Sequence, residues 1–384
     1  MNVLHIYRTY FPDPPGGLQE AIRQICVGCK DLGVSSAVYT LSPTPKPLEF
    51  DRPEAHVYRS RSWMAPASCD LGAWHSLTQF SRAAAWADVL HFHFPWPYGD
   101  VLNLLPAARQ KPRVMTYHSD IVKQKLLGAL YSPLMRHTLA TMDKVIATSP
   151  PYARTSEVLK ANLRPEQLKV IPLGMADIDQ TLPLAPEGSA LIQRLGLEDK
   201  PFVLALGVLR YYKGLNTLVA AAKAINGTVV IAGSGPEGEA LRQQAREAGL
   251  NNVVFAGQVS EPEKMALLRH CTAMALPSHL RSEAYGMVLL EAAIHGKPMI
   301  SCEIGTGTSF INQHEKTGFV IKPEDPAALS HAANALLHNR GLAETYGMAA
   351  RARYEENFTD RIMAQSYHDL YHEVCRKRPG TTGH

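Results

Sequence analysis

The chain has 384 residues, of which 46% are hydrophobic and 19% charged, and its formal net charge is +4. This length predicts two domains rather than one core, and the apolar content excludes a disordered chain. So small a basic excess, without a dense basic stripe, argues against a nucleic-acid-binding protein.

The N-terminal segment MNVLHIYRTYFPDPPGG lacks a basic region followed by a long apolar run and a cleavage site, and no later run reaches the length of a membrane span. We therefore expect a cytoplasmic protein with its six cysteines reduced. Residues 1–176 hold 19 Lys and Arg against 13 Asp and Glu, whereas residues 177–384 hold 20 against 22. The basic first half favours an anionic membrane surface or a phosphorylated acceptor as its partner.

Short runs rich in apolar and β-branched residues recur in the first half, namely VLHIY, SAVYTL, VLHFHF, RVMTYH, KVIATS and KVIPLG. Because they do not alternate with polar residues, they predict strands of a parallel sheet that helices cover on both faces. Cys26 and Cys29 lie in the predicted helix LQEAIRQICVGCKDLG and supply only half of a tetrahedral zinc site, so we interpret them as packing residues. His91 and His93 alternate on one strand without a third ligand, which favours packing or acceptor contact.

The segment Val122–Met142 combines cationic residues with leucines. It predicts either a helix that lies on a membrane bearing a lipid-linked acceptor or an ordinary domain helix, and Pro133 interrupts it. Turn-forming residues after Gly174 predict a linker. Asp177-Ile178-Asp179 spells D-x-D, but it falls in this linker and follows no suitable strand, so we expect no metal there.

The second half repeats the rhythm with FVLALG, TVVIAG, VVFAG, AMALPS, PMISCE and GFVI, which predict a second parallel sheet. The amphipathic run DRIMAQSYHDLYHEV follows without a further strand and predicts a helix that packs back across the lobes. The predicted organisation is an N-terminal domain over 1–176, a C-terminal domain over 177–359, the returning helix over 360–375 and a frayed tail over 376–384.

Ligands of open α/β sheets bind beyond the carboxyl ends of the strands, so the loops there are the candidate site. After TVVIAG, the glycines Gly233, Gly235 and Gly238 match G-x-G-x-x-G. Pro236 at the helix start and the lack of an acidic residue after VVFAG argue against NAD and favour a tight turn or another mode of nucleotide approach. After FVLALG, Arg210 and Lys213 are spaced to converge on one diphosphate, although a solvated loop has the same composition.

Glu283 and Glu291 flank a glycine-containing turn that opens a predicted helix. The amides of Gly286, Met287 and Val288 are then unpaired helical donors, which favour an anion such as a leaving phosphate. Glu291 lies among apolar residues and needs a partner, which sugar hydroxyls or a lysine such as Lys297 would provide.

SEAYGMVLLEA carries an E-x7-E element, and the whole chain resembles glycosyltransferase family 4. Six elements of that family occur here in order: Gly16-Gly17, YHSD at Tyr117–Asp120, GVLRYYKG, AGSGP, FAGQV and E-x7-E. PMISCEIGTGTSFINQHEKTGFVI and HIYRTYFPDPPGG are similar to segments of bacterial lipopolysaccharide and O-antigen mannosyl- and rhamnosyltransferases. The resemblance implies an α/β protein of the GT-B fold, whose first Rossmann-like domain binds the acceptor and whose second binds the donor across a cleft.

The resemblance also implies roles for single residues. Arg210 and Lys213 would bind the donor diphosphate, together with Gly16, Gly17 and the amides of Gly286, Met287 and Val288. Glu291 would hold the ribose, with Val259 and Gly233 near the base. Glu283 and His118 would face the transferred sugar and, with Arg210 and Lys213, form the catalytic set; the alternative for His118 is a core histidine with satisfied hydrogen bonds.

The implied activity is a retaining, metal-independent and cofactor-free transfer of a hexose, here expected to be mannose from GDP-mannose. The implied acceptor is a lipid-linked saccharide of lipopolysaccharide or O-antigen synthesis, reached in the cytoplasm or at the inner face of the anionic cytoplasmic membrane. Alternatives are a UDP-sugar or GDP-rhamnose donor, a non-catalytic nucleotide-sugar-binding subunit, an epimerase of the same fold and, last, an NAD oxidoreductase.

Overall fold

The computed structural model describes residues 1–13, 16–64, 70–120, 125–177 and 183–377, and in residues 125–130 it describes the backbone alone. The chain divides into two compact units. The first consists of Met1–Ala176 with the segment that begins at Thr359, and the second is Asp177–Phe358. The C-terminal segment therefore belongs to the first unit although it follows the second unit in the chain.

The elements up to residue 176 alternate between strands and helices, as the sequence predicts. In chain order they are β1 (Asn2–Ile6), α1 (Gly17–Lys30), β2 (Ser35–Ser42), β3 (Glu49–Asp51), β4 (His56–Met64), β5 (Leu71–Gly72), α2 (His75–Trp86), β6 (Val89–Phe94), α3 (Pro97–Asn103), α4 (Pro106–Arg109), β7 (Arg113–Tyr117), α5 (Lys125–Thr141), β8 (Lys144–Ala147), α6 (Pro150–Thr155), α7 (Glu157–Asn162) and β9 (Leu168–Val170).

The second unit has the same alternation, and a long helix follows it. Its elements are α8 (Pro186–Arg194), β10 (Phe202–Leu206), α9 (Leu215–Ala222), β11 (Thr228–Ala232), α10 (Gly238–Glu247), β12 (Val253–Gly257), α11 (Glu261–His270), β13 (Ala273–Leu276), α12 (Met287–Ile294), β14 (Met299–Cys302), α13 (Thr308–Ile311), β15 (Gly318–Ile321), α14 (Pro326–His338) and α15 (Arg340–Asn357); the last helix of the chain is α16 (Asp360–Arg376).

The sheet of the first unit has the strand order β3-β4-β2-β1-β6-β7-β8-β9, with β5 beside β4. Its pairings are parallel except for those of β3 and β5 with β4. All six predicted strands are present, and β6 is buried along its whole length, as an apolar run without alternation predicts. The sequence prediction missed β3, β4 and β5, because HVYRSRSWM is too polar to resemble a strand buried on both faces.

Helix α16 packs on α1 in the first unit. Gly28 permits the close approach, since a Cβ atom there would lie 2.9 Å from the Cβ of Ala364. The thiol of Cys29 donates to the carbonyl of Ala364 at 3.7 Å, so the C-x-x-C pair lies in packing contact, as predicted. Tyr367 and Tyr371 of this helix are fully buried and contact polar groups of the sheet.

The sheet of the second unit has the order β12-β11-β10-β13-β14-β15, and every pairing in it is parallel. Strands β11, β10 and β13 are neighbours, so the loops after their carboxyl ends meet at one edge. The predicted α/β class with two parallel-sheet, Rossmann-like domains is confirmed.

Two sequence predictions concern segments that the structure describes only in part. Of the segment 122–142, residues 122–124 lie outside the described residues, and helix α5 runs from Lys125 to Thr141 with Pro133 inside it. The prediction that Pro133 interrupts the segment is therefore wrong. Most of the predicted tail, 378–384, also lies outside the described residues. No helix in the described part of the chain is long and apolar enough to cross a membrane.

Candidate active site

Three loops meet at the carboxyl edge of the second sheet. Gly233, after β11, has a φ of 131°, and a Cβ atom on it would lie 2.0 Å from the carbonyl oxygen of Gly207, after β10. Gly214 has a φ of 64°, and its Cβ atom would lie 2.1 Å from the carbonyl oxygen of Pro277, after β13. Only glycine permits both the left-handed backbone and so close a contact. The glycines of GVLRYYKG and AGSGP thus hold the three loops together.

Lys213 and Glu283 form a buried ion pair between two of these loops. The Nζ atom of Lys213 donates to Oε2 of Glu283 at 2.9 Å, and their side chains are 11% and 12% exposed. The hydroxyl of Ser278 donates to the same oxygen at 3.3 Å. Burial acts to lower the pKa of Lys213, but the attraction of Glu283 outweighs burial, so the pKa lies above its ordinary value and the ammonium stays charged. The alternative of a solvated loop is therefore wrong for Lys213.

Arg210 begins the same short segment but differs in its surroundings. Its side chain is exposed, and it makes no ion pair or hydrogen bond with any residue that the structure describes. A guanidinium in this state retains all its donors for an anionic ligand.

Glu291 lies on α12 and is paired with a lysine from another helix. Oε1 of Glu291 accepts a hydrogen bond of 2.7 Å from Nζ of Lys264, on α11. Lys264 also bonds Glu261 at 2.9 Å. The suggested partner Lys297 is wrong, because its Nζ atom donates instead to the carbonyl of Arg269 at 2.8 Å. Lys297 follows the end of α12 and reaches the C-terminal end of α11, whereas Lys264 lies in the first turns of that helix.

The N-terminus of α12 lies between Glu283 and Glu291 in sequence. Gly286 precedes the helix with a φ of 92°, and the first helical amides, those of Met287 and Val288 included, have no acceptor inside the helix. These amides carry partial positive charge, and the ammonium of Lys213 contacts Glu283, which precedes Gly286 by three residues.

Gly233 and Val259 lie in the loops that follow the neighbouring strands β11 and β12. The amide of Gly233 donates to the carbonyl of Gly257 at 2.7 Å, and half-buried Val259 follows two residues later. Val259 directly precedes Ser260, which caps α11. The helix that carries Lys264 therefore starts next to Val259.

In the first unit, Gly16 and Gly17 form the start of α1. A Cβ atom on Gly16 would lie 2.8 Å from Oε1 of Gln19, but one on Gly17 would meet nothing within 4 Å. Open space therefore adjoins Gly17, and its φ is one that any residue can adopt. Neither the backbone conformation nor the packing of this unit explains why a glycine occupies this position.

His118 directly follows β7 and is buried. Its amide donates to the carbonyl of Phe94 at 3.1 Å, and its Nε2 atom is hydrogen bonded to Nδ1 of His93 at 3.0 Å. Burial lowers the pKa of His118 to about 3, so the ring is neutral. No described residue is paired with its Nδ1 atom.

A third imidazole joins His91 and His93, so the prediction that they lack one is wrong. His5 on β1 is the register partner of His91 on β6, and His93 lies two residues further on the same face. One ring nitrogen of each lies within 4.8 Å of the others, a spacing that would suit a metal ion. Strands β1 and β6 are neighbours in the sheet but distant in sequence, so no local sequence pattern indicates the cluster.

The first residue of the D-x-D sequence is engaged elsewhere. The carboxylate of Asp177 accepts hydrogen bonds from both terminal nitrogens of Arg351, at 2.7 and 2.5 Å. Residues 178 and 179 lie outside the described residues.

Sequence reasoning missed Lys264, His5 and also His279, which lies in the loop after β13. Both ring nitrogens of His279 are buried and have no hydrogen-bond partner among the described residues. Its ring makes an edge contact with Tyr211 at 4.8 Å, and its amide donates to the carbonyl of Tyr212 at 3.0 Å. The only signal was its place within the motif that contains Glu283.

Comparison with known proteins supplies a family. Residues 189–353 match the family described as Glycosyl transferases group 1, and residues 16–174 match the Glycosyl transferase 4-like domain. The chain is 42% identical to the D-rhamnosyltransferase WbpZ of Pseudomonas aeruginosa, over 94% of this chain and 92% of the relative. It is 40% identical to the O-antigen chain mannosyltransferase C of Escherichia coli, over 97% and 98%.

Solved structures show the same fold at low sequence identity. The sucrose-phosphate synthase from Thermosynechococcus elongatus has a TM-score of 0.78 at 23% identity, covering 98% of this chain and all of the other. Anabaena HepE, solved in complex with UDP, has a TM-score of 0.78 at 21% identity, covering 97% and 100%. These likenesses confirm the GT-B type of fold.

Proposed function

The chain belongs to the group 1 glycosyl transferases, and on that premise we propose that it transfers a hexose with retention of configuration. The donor we propose is GDP-mannose, and the acceptor is a lipid-linked saccharide of O-antigen-type polysaccharide synthesis. Such an acceptor would bring the protein to a membrane surface. The observation that carries the proposal is the presence of two buried ion pairs, Lys213–Glu283 and Lys264–Glu291, whose carboxylates precede and follow the N-terminus of α12 in sequence.

These contacts suit a diphosphate-activated sugar. Breaking the bond between sugar and phosphate leaves negative charge on the diphosphate, and preorganised cations and amides stabilise that charge. Lys213, Arg210 and the amides of Gly286, Met287 and Val288 would bind the diphosphate, with Gly16 and Gly17 close to it. A bound diphosphate would compete with Glu283 for Lys213, leaving the carboxylate of Glu283 to contact the sugar. Protein cations in this role make a divalent metal dispensable, and no other cofactor is proposed.

The remaining residues would hold the nucleotide and the sugar. Glu291 would accept hydrogen bonds from the ribose, oriented by Lys264, with Val259 and Gly233 near the base. His118 would offer Nδ1 to a sugar hydroxyl group. His118, Glu283, Arg210 and Lys213 are thus the catalytic residues of the proposal.

Two donors have comparable support. The relative from Escherichia coli is named as a mannosyltransferase and that from Pseudomonas aeruginosa as a D-rhamnosyltransferase, at 40% and 42% identity. We propose GDP-mannose first and GDP-rhamnose second, with a UDP-sugar as the remaining alternative.

A thermal-shift series on the purified protein tests the donor. A ligand at about 100 times its Kd adds about 2.7 kcal/mol to the free energy of unfolding, so the matching donor should give the largest shift. We expect GDP-mannose to exceed GDP-rhamnose and UDP-glucose. A larger shift with UDP-glucose would contradict the donor proposed here.

A transfer assay with a lipid-linked saccharide tests the reaction. We expect product in the presence of EDTA, with the anomeric configuration of the donor retained, as read by NMR. Binding without product would indicate a non-catalytic subunit, and conversion of the nucleotide sugar without acceptor would indicate an epimerase. Loss of transfer in EDTA with recovery in Mg²⁺ would overturn metal independence.

A further inference from the structure

A chain of three buried imidazoles ends at His118 in the first unit. Nδ1 of His5 lies 3.1 Å from Nε2 of His93, and Nδ1 of His93 lies 3.0 Å from Nε2 of His118. The side chains come from β1, from β6 and from the residue after β7, three neighbouring strands of the sheet. None of the three residues is more than 7% exposed.

All three rings are neutral at physiological pH. Burial lowers the pKa of His5 and of His118 to about 3, and burial together with the neighbouring imidazoles lowers that of His93 well below its ordinary value. A neutral imidazole carries one proton, so one nitrogen donates and the other accepts.

Counting protons leaves two arrangements for the chain. The hydrogen bond between His5 and His93 contains one proton, and so does the one between His93 and His118. His93 supplies only one of these two protons. If His93 is protonated on Nδ1, then His5 and His118 are also protonated on Nδ1. If His93 is protonated on Nε2, both of the others carry their protons on Nε2. The three rings therefore share one tautomer.

We propose that His5, His93 and His118 form a tautomer relay in which His93 is the positioning residue for His118. The relay holds the His118 ring by Nε2, and the tautomer that the three neutral rings share fixes its Nδ1 atom either as a donor or as an acceptor for a sugar hydroxyl group. The inference rests on the proposed function in so far as His118 faces the transferred sugar. It assigns to His5 and His93 a role beyond packing.

The fourth imidazole of the cluster lies outside the relay. His91 is as deeply buried and on the same strand and face as His93, but its two nitrogens bond the hydroxyls of Thr116, at 2.7 Å, and Tyr371, at 2.8 Å. A metal ion held by His5, His91 and His93 would have to displace these hydroxyls and the shared protons. The hydrogen bonds already satisfy both rings on β6, which favours the relay over a metal site.

Matched variants on one strand test the positioning role. We expect His93→Phe to lower kcat by about 10- to 100-fold, as when a metal-ligating histidine loses the hydrogen-bond partner that orients it, with little change in KM for the nucleotide sugar. His91→Phe removes an equally buried imidazole and should retain near-normal kcat. His93→Asn, whose amide can replace Nδ1 toward His118, should recover part of the activity. Equal losses in the two Phe variants would overturn the relay.

Nitrogen-15 NMR of the unaltered protein gives a readout independent of turnover. We expect the rings of His5, His93 and His118 to show one common tautomer at neutral pH, and mixed tautomers would overturn the relay. One equivalent of transition metal in the purified protein would overturn it as well. Normal turnover in His118→Ala would refute the proposed role of His118 while leaving the common tautomer intact. An inactive His118→Ala with a fully active His93→Phe would refute the relay alone.

Discussion

At the scale of single residues, the ion pairs of the second unit should affect both stability and turnover, and the two effects can be measured separately. A buried ion pair contributes little net stability, but removing one partner strands an uncompensated charge. Lys213 and Glu283 are both largely buried, and among the described residues Ser278 makes the only further hydrogen bond to their charged groups. A change at Lys213 should therefore affect stability through Glu283 and turnover through the diphosphate.

We predict that Lys213→Ala lowers kcat by about 100-fold, the cost of losing one preorganised electrostatic contact. The free energy of unfolding should fall by about 3 kcal/mol, because Glu283 stays buried without its partner. Adding Glu283→Gln to the Lys213→Ala variant should recover stability but not turnover. Steady-state kinetics and urea unfolding measure the two effects.

The control for this change is Lys223→Ala, which removes an exposed ammonium from the same unit. It should alter neither quantity. Near-normal turnover in Lys213→Ala would mean that the lysine serves only to neutralise Glu283.

At the scale of elements, the site depends on backbone contacts between loops rather than on the helices and strands alone. Gly214 lies between the short 3-10 helix Tyr211–Lys213 and α9, and a Cβ atom on it would lie 2.1 Å from the carbonyl oxygen of Pro277 in the loop after β13. That loop carries Glu283. The contact at Gly214 thus sets the distance across which Lys213 and Glu283 meet.

We predict that Gly214→Ala destabilises the second unit by about 2 kcal/mol more than Gly249→Ala, because the added Cβ atom must displace a backbone carbonyl. The two glycines have φ values of 64° and 63°, but a Cβ atom on Gly249 meets nothing within 4 Å. Both variants bear the left-handed strain, of about 1 kcal/mol or more, and only Gly214→Ala bears the clash. Urea unfolding compares them.

Nucleotide affinity provides a second measurement on the same pair of variants. It should fall in Gly214→Ala and stay unchanged in Gly249→Ala. If the two variants were equally destabilised and bound the nucleotide equally well, the loop at Pro277 would have to accommodate the added Cβ atom without displacing Lys213.

At the scale of the whole molecule, the two units differ in how acid should affect them. The first unit buries His5, His91, His93 and His118 as neutral rings, and their pKa values are lowered, chiefly by burial. A lowered folded-state pKa gives stability that is present above the unfolded value, near 6.5, and is lost as pH falls toward 3. Asp100 acts in the opposite sense, because burial raises its pKa to about 7, but it involves a single proton.

We predict that the first unit loses protection from hydrogen exchange between about pH 6.5 and 5, before the second unit does. Each proton taken up on unfolding contributes about 1.4 kcal/mol per pH unit, so four histidines together dominate the slope. Mass-spectrometric exchange, corrected for the intrinsic rate at each pH, resolves the two units in one sample. Simultaneous loss in both units would contradict the assignment of acid sensitivity to the histidine cluster.

The sequence by itself determined the twelve sheet strands that are apolar runs and the motifs that follow them. These are local properties: a strand buried on both faces is recognisable by its composition, and a loop after it by its glycines and charges. Strand β4 was missed because its residues are polar enough to resemble a loop. For the same local reason, the sequence identifies four candidate site residues, namely Arg210, Lys213, Glu283 and Glu291.

Only the tertiary structure decided which groups are partners. His5 and His93 are 88 positions apart, and they meet because β1 and β6 are neighbours in the sheet. Lys264 of α11, rather than Lys297, reaches Glu291, although Lys297 is much closer to Glu291 in sequence. A sequence determines the face on which a strand residue lies through its alternation, but the order of strands depends on long-range packing, which no local pattern contains.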